Sequence, residues 1–196
     1  MDIDSSKFVS AKKTDGKYLN QFDITYFTIA GQERVWTISS RADVPKCITG
    51  EFDMPDAVVI VPYYWPKNSL VLTREYRVAI ADYEYGFPAG LIDTDESIEK
   101  AAERELFEET GLTLTRVNKV SPPIYSSPGM TDEAVSLVYV DCEGAPSNKY
   151  NEDSEMIETL LLSLSDIERL LRNKSLKFGA KAWIILDGFI QKGRLI

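Results

Sequence analysis

The chain has 196 residues, enough for one well-buried domain and a small appendage. Its apolar share of 44% and charged share of 27% are those of a soluble globular protein. The net charge of −9 argues against nucleic acid or an anionic membrane as partner, and with no histidine a Ser-His-Asp triad, a Cys-His dyad and a histidine-ligated zinc site are excluded.

The N-terminal MDIDSSKF has neither a basic n-region nor an apolar h-region, so it does not read as a signal peptide. Residues 17–40 pattern as a β-hairpin. Phe22, Ile24 and Tyr26 alternate with polar residues, Ala30-Gly31-Gln32-Glu33 turns the chain, and Trp36 and Ile38 alternate on the return. A lone hairpin has too little core to stand by itself. Residues 1–50 are therefore expected to be a hairpin and dimerisation region, with the main domain over 51–196. Residues 41–56, with Pro45, Gly50 and Pro55, read as a connector.

AVVIVPYY (57–64) is a continuous apolar run suited to a central strand, and SLVLTREYR (69–77) returns after a Pro66-Lys67-Asn68 turn. YEYGFPAG (83–90) reads as a strand ending in a tight turn. LTLTRVNKV (112–120), AVSLVYV (134–140) and MIETLLLSL (156–164) read as further strands. SNKYNEDSE (147–155) is polar and reads as a mobile loop. Ser165 with Glu168 offers a capping box for a helix over 166–172. A last helix is expected from Gly179 to Ile190, burying Trp183, Ile184 and Phe189. Interspersed helices and strands imply a mixed α/β or α+β fold. Cys47 and Cys142 form no CxxC pair and read as free thiols in a reducing compartment, which points to the cytoplasm. No apolar run approaches the roughly 18 residues needed to span a bilayer.

The stretch GLIDTDESIEKAAERELFEETGL (90–112) carries the chemistry. Asp95 or Ser97 can cap a helix there, and Gly111 supplies a left-handed stop. At 100° per residue, Ile98, Ala101, Ala102 and Leu106 share one face. Glu105 and Glu109 fall in the middle of that face and Glu108 at its edge. An acidic helix is ordinarily a solvated one, but here the carboxylates share the apolar stripe. Burying uncompensated carboxylates costs several kcal/mol each. A cation among them removes that cost, and hard oxygen donors without sulfur or imidazole select Mg²⁺, Mn²⁺ or Ca²⁺. Mg²⁺ in particular favours one or two carboxylates with waters and phosphate oxygens.

The same stretch resembles the Nudix box, Gx5Ex7REUxEExGU with U aliphatic, at every fixed position: Gly90, Glu96, Arg104, Glu105, Leu106, Glu108, Glu109, Gly111 and Leu112. The resemblance implies an α/β/α sandwich with a mixed sheet, beside the small N-terminal antiparallel sheet. It implies hydrolysis of nucleoside diphosphates linked to another moiety, with Mg²⁺ or Mn²⁺ as cofactor. By the same resemblance the Ala89 carbonyl, Glu105, Glu108 and Glu109 are metal ligands. Gly90, Glu96, Arg104 and Gly111 hold the loop-helix-loop together.

Further features resemble the ADP-ribose pyrophosphatase subfamily. Pro128 lies sixteen positions after Leu112, in YSSPGMTDE (125–133), where the resemblance makes Glu133 the general base or an extra metal contact, expected on a mobile loop. Glu155 and Glu158 are alternatives for that role. REYR (74–77) resembles a segment whose arginine, here Arg77, binds phosphate. VWTISSR (35–41) resembles one in which Trp36 stacks on adenine and Arg41 contacts phosphate, and both side chains suit those ligands. FPAG (87–90) resembles the turn into the box. Two departures stand out: Gly86 replaces a glutamate of many relatives, with Glu84 nearby, and Thr37 follows the tryptophan where some relatives carry an acid. The expected substrate is a nucleoside diphosphate sugar, ADP-ribose first, cleaved to AMP and ribose 5-phosphate. Another nucleotide sugar such as GDP-mannose is the alternative, then an oxidised nucleoside triphosphate or a non-catalytic nucleotide-sugar-binding module. The expected assembly is a homodimer.

Overall fold

The structure, a computed structural model, describes residues 8–14, 16, 19–151 and 156–193. It divides into two compact units. The first takes the described residues up to Asp56 together with Pro122–Ser136; the second takes Ala57–Ser121 with the chain from Leu137 onward.

In the first unit, β1 (Phe8–Thr14), β2 (Asn20–Phe27) and β3 (Glu33–Ser40) form an antiparallel sheet in that order. The expected hairpin is its β2–β3 half, with Phe22 opposite Ile38 and Ile24 opposite Trp36. The turn is longer than Ala30–Glu33: Thr28 to Gln32 close it, with Gly31 at φ +74. Phe22 and Ile24 bury one face of β2, as the alternation requires. The connector holds a short helix, α1 (Lys46–Thr49), stopped by Gly50 at φ +76.

The second unit is a mixed sheet between helices. β4 (Ala57–Tyr64), β5 (Ser69–Arg77), β6 (Asp82–Gly86), β7 (Ala89–Leu91), β8 (Thr113–Val120), β10 (Ala134–Glu143, entering from the first unit), β11 (Ile157–Leu162) and β12 (Lys177–Phe178) run in the order β12-β6-β5-β4-β10-β8, with β11 on β5 and β7 on β4. Within the first unit, β9 (Ile124–Tyr125) pairs with the first residues of β10. Alternation splits the sheet's side chains between two cores. Val58, Ile60, Tyr64, Val71, Val138 and Val140 face α2 (Ile98–Thr110), which contributes Ala101, Ala102 and Leu106. Val61, Leu70 and Leu72 face α3 (Leu164–Arg172) and α4 (Ala180–Lys192), which contribute Ile167, Ala182, Leu186 and Phe189. Both faces are covered, which is why 57–64 reads as an unbroken apolar run.

Two helix expectations are corrected. The cap of α3 is Ser163, boxed with Asp166, rather than Ser165 with Glu168; a carboxylate three residues after Ser163 closes the same reciprocal pair two residues earlier. The buried face of α4 is Ala182, Leu186 and Phe189, while Trp183 and Ile184 are exposed. This helix is apolar around most of its circumference, so composition alone does not fix its rotation.

Candidate active site

The site is built where β7 feeds α2. Ser97 caps the helix by accepting from the Lys100 amide, and Gly111 ends it at φ +69. A side chain at position 111 would also press on Ser147. The stripe buries Ala101, Ala102 and Leu106, and Glu109 lies in it, only 5% exposed. Glu109 accepts a hydrogen bond from the Ala89 amide at 3.3 Å. Its own carbonyl accepts from the Thr159 hydroxyl on β11 at 3.3 Å. Glu105 lies against Gly90 so closely that a β-carbon there would overlap its carboxylate. Gly90 is thus fixed by space rather than by backbone angle.

Arg104 organises the rest. Its guanidinium donates to Glu96 at 3.0 and 2.8 Å, to Glu105 at 2.7 Å, to Glu108 at 3.1 Å and to the Leu91 carbonyl at 2.9 Å. The hydrogen bonds from Arg104 hold the Glu96 carboxyl below the usual range. Those same pairs, Glu96 first and then Glu105 and Glu108, push the guanidinium further up. Glu96 also accepts from the Asp93 amide, which closes the loop before the helix. Glu108 is the outlier of the acidic set: its side chain is 46% exposed and turned toward Arg104.

Among the described residues no three acidic or thiol side chains already converge as a finished cation cage. The donor set nevertheless fits a hard divalent cation. Two carboxylates, Glu105 and Glu109, are brought to two consecutive residues of β7, Ala89 and Gly90, where Gly90 carries no side chain, and every donor is oxygen.

β5 adds Arg77. Thr73, Glu75 and Arg77 alternate onto the sheet face that carries Val71, the face covered by α2. Arg77 is clasped by Glu75 at 2.6 Å and Glu84 at 3.3 Å. Glu75 and Glu84 sit directly opposite each other across β5 and β6, a like-charge pair that Arg77 neutralises. Sequence reading did not assign Glu75 a role, although its period-two spacing to Arg77 was visible. Gly86 lies opposite Thr73, so Glu84 is on the same face one cross-strand row away.

Glu158 pairs with Arg74 at 3.2 Å on the opposite face, since its neighbour Thr159 is the one that reaches α2. Alternation therefore separates Glu158 from the box carboxylates. Glu155 lies outside the described residues.

In the first unit, Trp36, 52% exposed, donates its indole N–H to the Gly129 carbonyl at 3.0 Å. It lines a cavity of about 370 Å³ with Tyr26, Phe52, Tyr125 and Pro128. Cys47 is at its wall; burial, reinforced by the Asp132 carboxylate, pushes its thiol up. Cys142 is buried in the second unit and pushed up to about 12, and both cysteines are free. Arg41 donates from Nε to Glu133 at 2.9 Å. The segment bearing Glu133, expected with the resemblance to be a mobile loop, is hydrogen-bonded to β3. Ser39 donates to the Met130 carbonyl, and Thr131 bridges Ser39 in parallel register, so β3 holds it at Met130 and Thr131.

The family model for the NUDIX domain matches residues 54–192. The chain belongs to the Nudix hydrolase family. It is 32% identical to the ADP-ribose pyrophosphatase of Saccharomyces cerevisiae over 157 residues, covering 77% of this chain and 66% of that protein. It is 30% identical to the GDP-mannose pyrophosphatase of Salmonella typhimurium over 154 residues, covering 74% and 78%. The crystal structure of an ADP compounds hydrolase matches with a TM-score of 0.69 over 96% of both chains at 21% identity, which shows the fold. No helix among the described residues is long and apolar enough to cross a membrane.

Proposed function

We propose that this Nudix hydrolase cleaves the pyrophosphate bond of a nucleoside diphosphate sugar, with ADP-ribose as the preferred substrate. The observation that carries the reading is the start of β7, Ala89 and Gly90, with two glutamates brought to it and Arg77 on the sheet face covered by α2. The names of the yeast and Salmonella relatives support a nucleotide sugar.

The Ala89 carbonyl, Glu105, Glu108 and Glu109 are the residues that would hold Mg²⁺, or Mn²⁺ in its place. When bound, the cation neutralises the diphosphate and lowers the pKa of water. The chain's residues do the remaining work. Ala89 orients Glu109 through its amide. Arg77 leaves Glu75 and Glu84 to meet phosphate oxygens, a bidentate match for its guanidinium. Arg41 serves phosphate in the same way. Glu133 takes the proton of the attacking water as the new P–O bond forms and the bridging P–O bond breaks. From ADP-ribose this yields AMP and ribose 5-phosphate. The aromatic cavity around Trp36 and Pro128 suits a flat purine.

The test is product release from ADP-ribose, GDP-mannose, ADP-glucose, NADH and dGTP with Mg²⁺. ADP-ribose is expected to have the highest kcat/KM, and Trp36→Ala to raise its KM by about tenfold, near the worth of one stacked base. Faster turnover of GDP-mannose would move the base preference and leave the carboxylate site intact. Turnover of dGTP alone would overturn the sugar reading.

We further propose a homodimer formed through the N-terminal sheet, which leaves Val35, Trp36 and Phe27 exposed. Light scattering at micromolar concentration is expected to give twice the chain mass, and Val35→Glu a monomer. A wild-type monomer would remove this assembly.

A further inference from the structure

Glu133 is flanked on both sides by anchors that neither the family pattern nor the sequence reading singled out, and all of them lie in the first unit. On one side Asp132 turns its carboxylate inward. Its Oδ2 accepts from the Ser40 hydroxyl at 3.0 Å and from the Lys46 amide at 2.8 Å. Ser40 is 1% exposed, and the Lys46 amide, in the first turn of α1, has no acceptor within that helix. On the other side Ala134 is held at two points by one residue. Its amide donates to the Asp56 carboxylate at 2.8 Å, and its carbonyl accepts from the Asp56 amide at 2.8 Å.

Lys46 joins the two anchors. Its amide serves Asp132, while its ammonium meets Asp56 at 2.7 Å with the two side chains 11% and 22% exposed. Glu133 itself is fixed at the main chain: its amide donates to the Thr131 hydroxyl and its carbonyl accepts from the Ser126 amide. A base held this way has only its side-chain torsions left, and Arg41 takes up its carboxylate.

We propose that Asp132 is a positioning residue for Glu133, fixing the backbone on one side of the proton acceptor while Asp56 and Lys46 fix it on the other. The inference rests on the reading of Glu133 as the base. The physical reason is geometric. A displacement of about 1 Å at a reacting group costs about 10²-fold in rate, and a carboxylate on a three-torsion side chain keeps its aim only if its Cα is fixed. Asp132 touches neither reacting atom; it acts through Glu133.

Helix capping alone would explain the Lys46 bond, so the experiment must separate the two roles. The full chain is assayed with ADP-ribose and Mg²⁺ as Asp132→Ala, Asp132→Asn, Glu133→Gln and the double variant Asp132→Ala/Glu133→Gln. Asp132→Ala is expected to lose about 10- to 100-fold in kcat with KM within about twofold. Asp132→Asn recovers most of that loss, because an amide oxygen can still accept from both Ser40 and Lys46. The double variant is no slower than Glu133→Gln, since a misaimed base costs nothing once the base is gone.

If Glu133→Gln loses kcat while Asp132→Ala keeps it, the positioning role is overturned and the reading of Glu133 stands. A double variant slower than Glu133→Gln by the full Asp132→Ala factor has the same meaning. If Glu133→Gln keeps kcat, the base assignment itself fails, and this inference with it. Should Asp132→Ala not fold, Ser40→Ala removes one of the two bonds at the same carboxylate. It is expected to lower kcat by a smaller factor, again with KM unmoved, and an unchanged kcat would overturn the proposal.

Discussion

Glu109→Gln is expected to lower kcat by about 10³-fold while the protein remains folded, the upper end of what one preorganised electrostatic group supplies. Glutamine keeps an acceptor for the Ala89 amide, so the 3.3 Å bond that sets the side chain survives. What disappears is the negative charge of Glu109, itself 5% exposed in the buried stripe of α2. That charge is expensive to bury without a cation. The variant's melting temperature without added metal should therefore equal or exceed that of the wild type. Adding Mg²⁺ should raise the wild-type melting temperature with the logarithm of concentration, as for any ligand of the native state, and this rise should be lost in Glu109→Gln. The thermal readout does not depend on turnover. Unchanged kcat together with an unchanged Mg²⁺ response would remove Glu109 from the ligand set.

The reason Glu109 was visible from sequence is periodicity. A carboxylate at helical spacing within Ile98, Ala101, Ala102 and Leu106 contradicts the ordinary amphipathic pattern, and the contradiction locates the site. Strands with continuous apolar runs were equally legible; the expected 69–77 is β5 to the residue. The strand β1 was not, because FVSAKKT carries two lysines and no sustained alternation, and it exists through main-chain pairing with β2. β12, two residues long and parallel to β6, had no local signal at all.

The partners of the candidate site residues fell outside sequence reach for a related reason. Arg77 could be named, but its clasp by Glu84 depends on cross-strand register. Asp132 and Asp56 are separated in the chain, and their common purpose follows only once Lys46 and Ala134 are placed between them. Side-chain chemistry at fixed helical spacing is local information; register and capping across units of chain tens of residues apart are tertiary.

Arg104→Ala should be the most destabilising change among the charged residues of the box. The guanidinium meets three carboxylates, Glu96, Glu105 and Glu108, and the Leu91 carbonyl. Removing it leaves three acids facing one another. Breaking a buried pair costs about 3–5 kcal/mol. Arg104 is 29% exposed, so solvent screening brings the expectation to about 2–3 kcal/mol. Arg104→Lys should recover less than half, because an ammonium cannot fork to Glu96 and reach Glu105 together. The pH dependence has a definite sign. Arg104 holds the Glu96 carboxyl below its ordinary value of 4.5, so this contribution is complete above that value. It is lost as pH falls through the lowered one. The gap in melting temperature between wild type and Arg104→Ala should therefore be full at neutral pH and close as pH falls below 4.5 and through the lowered value. Arg104 also competes with a cation for Glu105 and Glu108, so Mg²⁺ should stabilise Arg104→Ala more than it stabilises the wild type. Equal melting temperatures at neutral pH would mean that the cluster is a solvent-screened surface network, and the loop before α2 would then owe its shape to Gly90 and the Asp93–Glu96 turn alone.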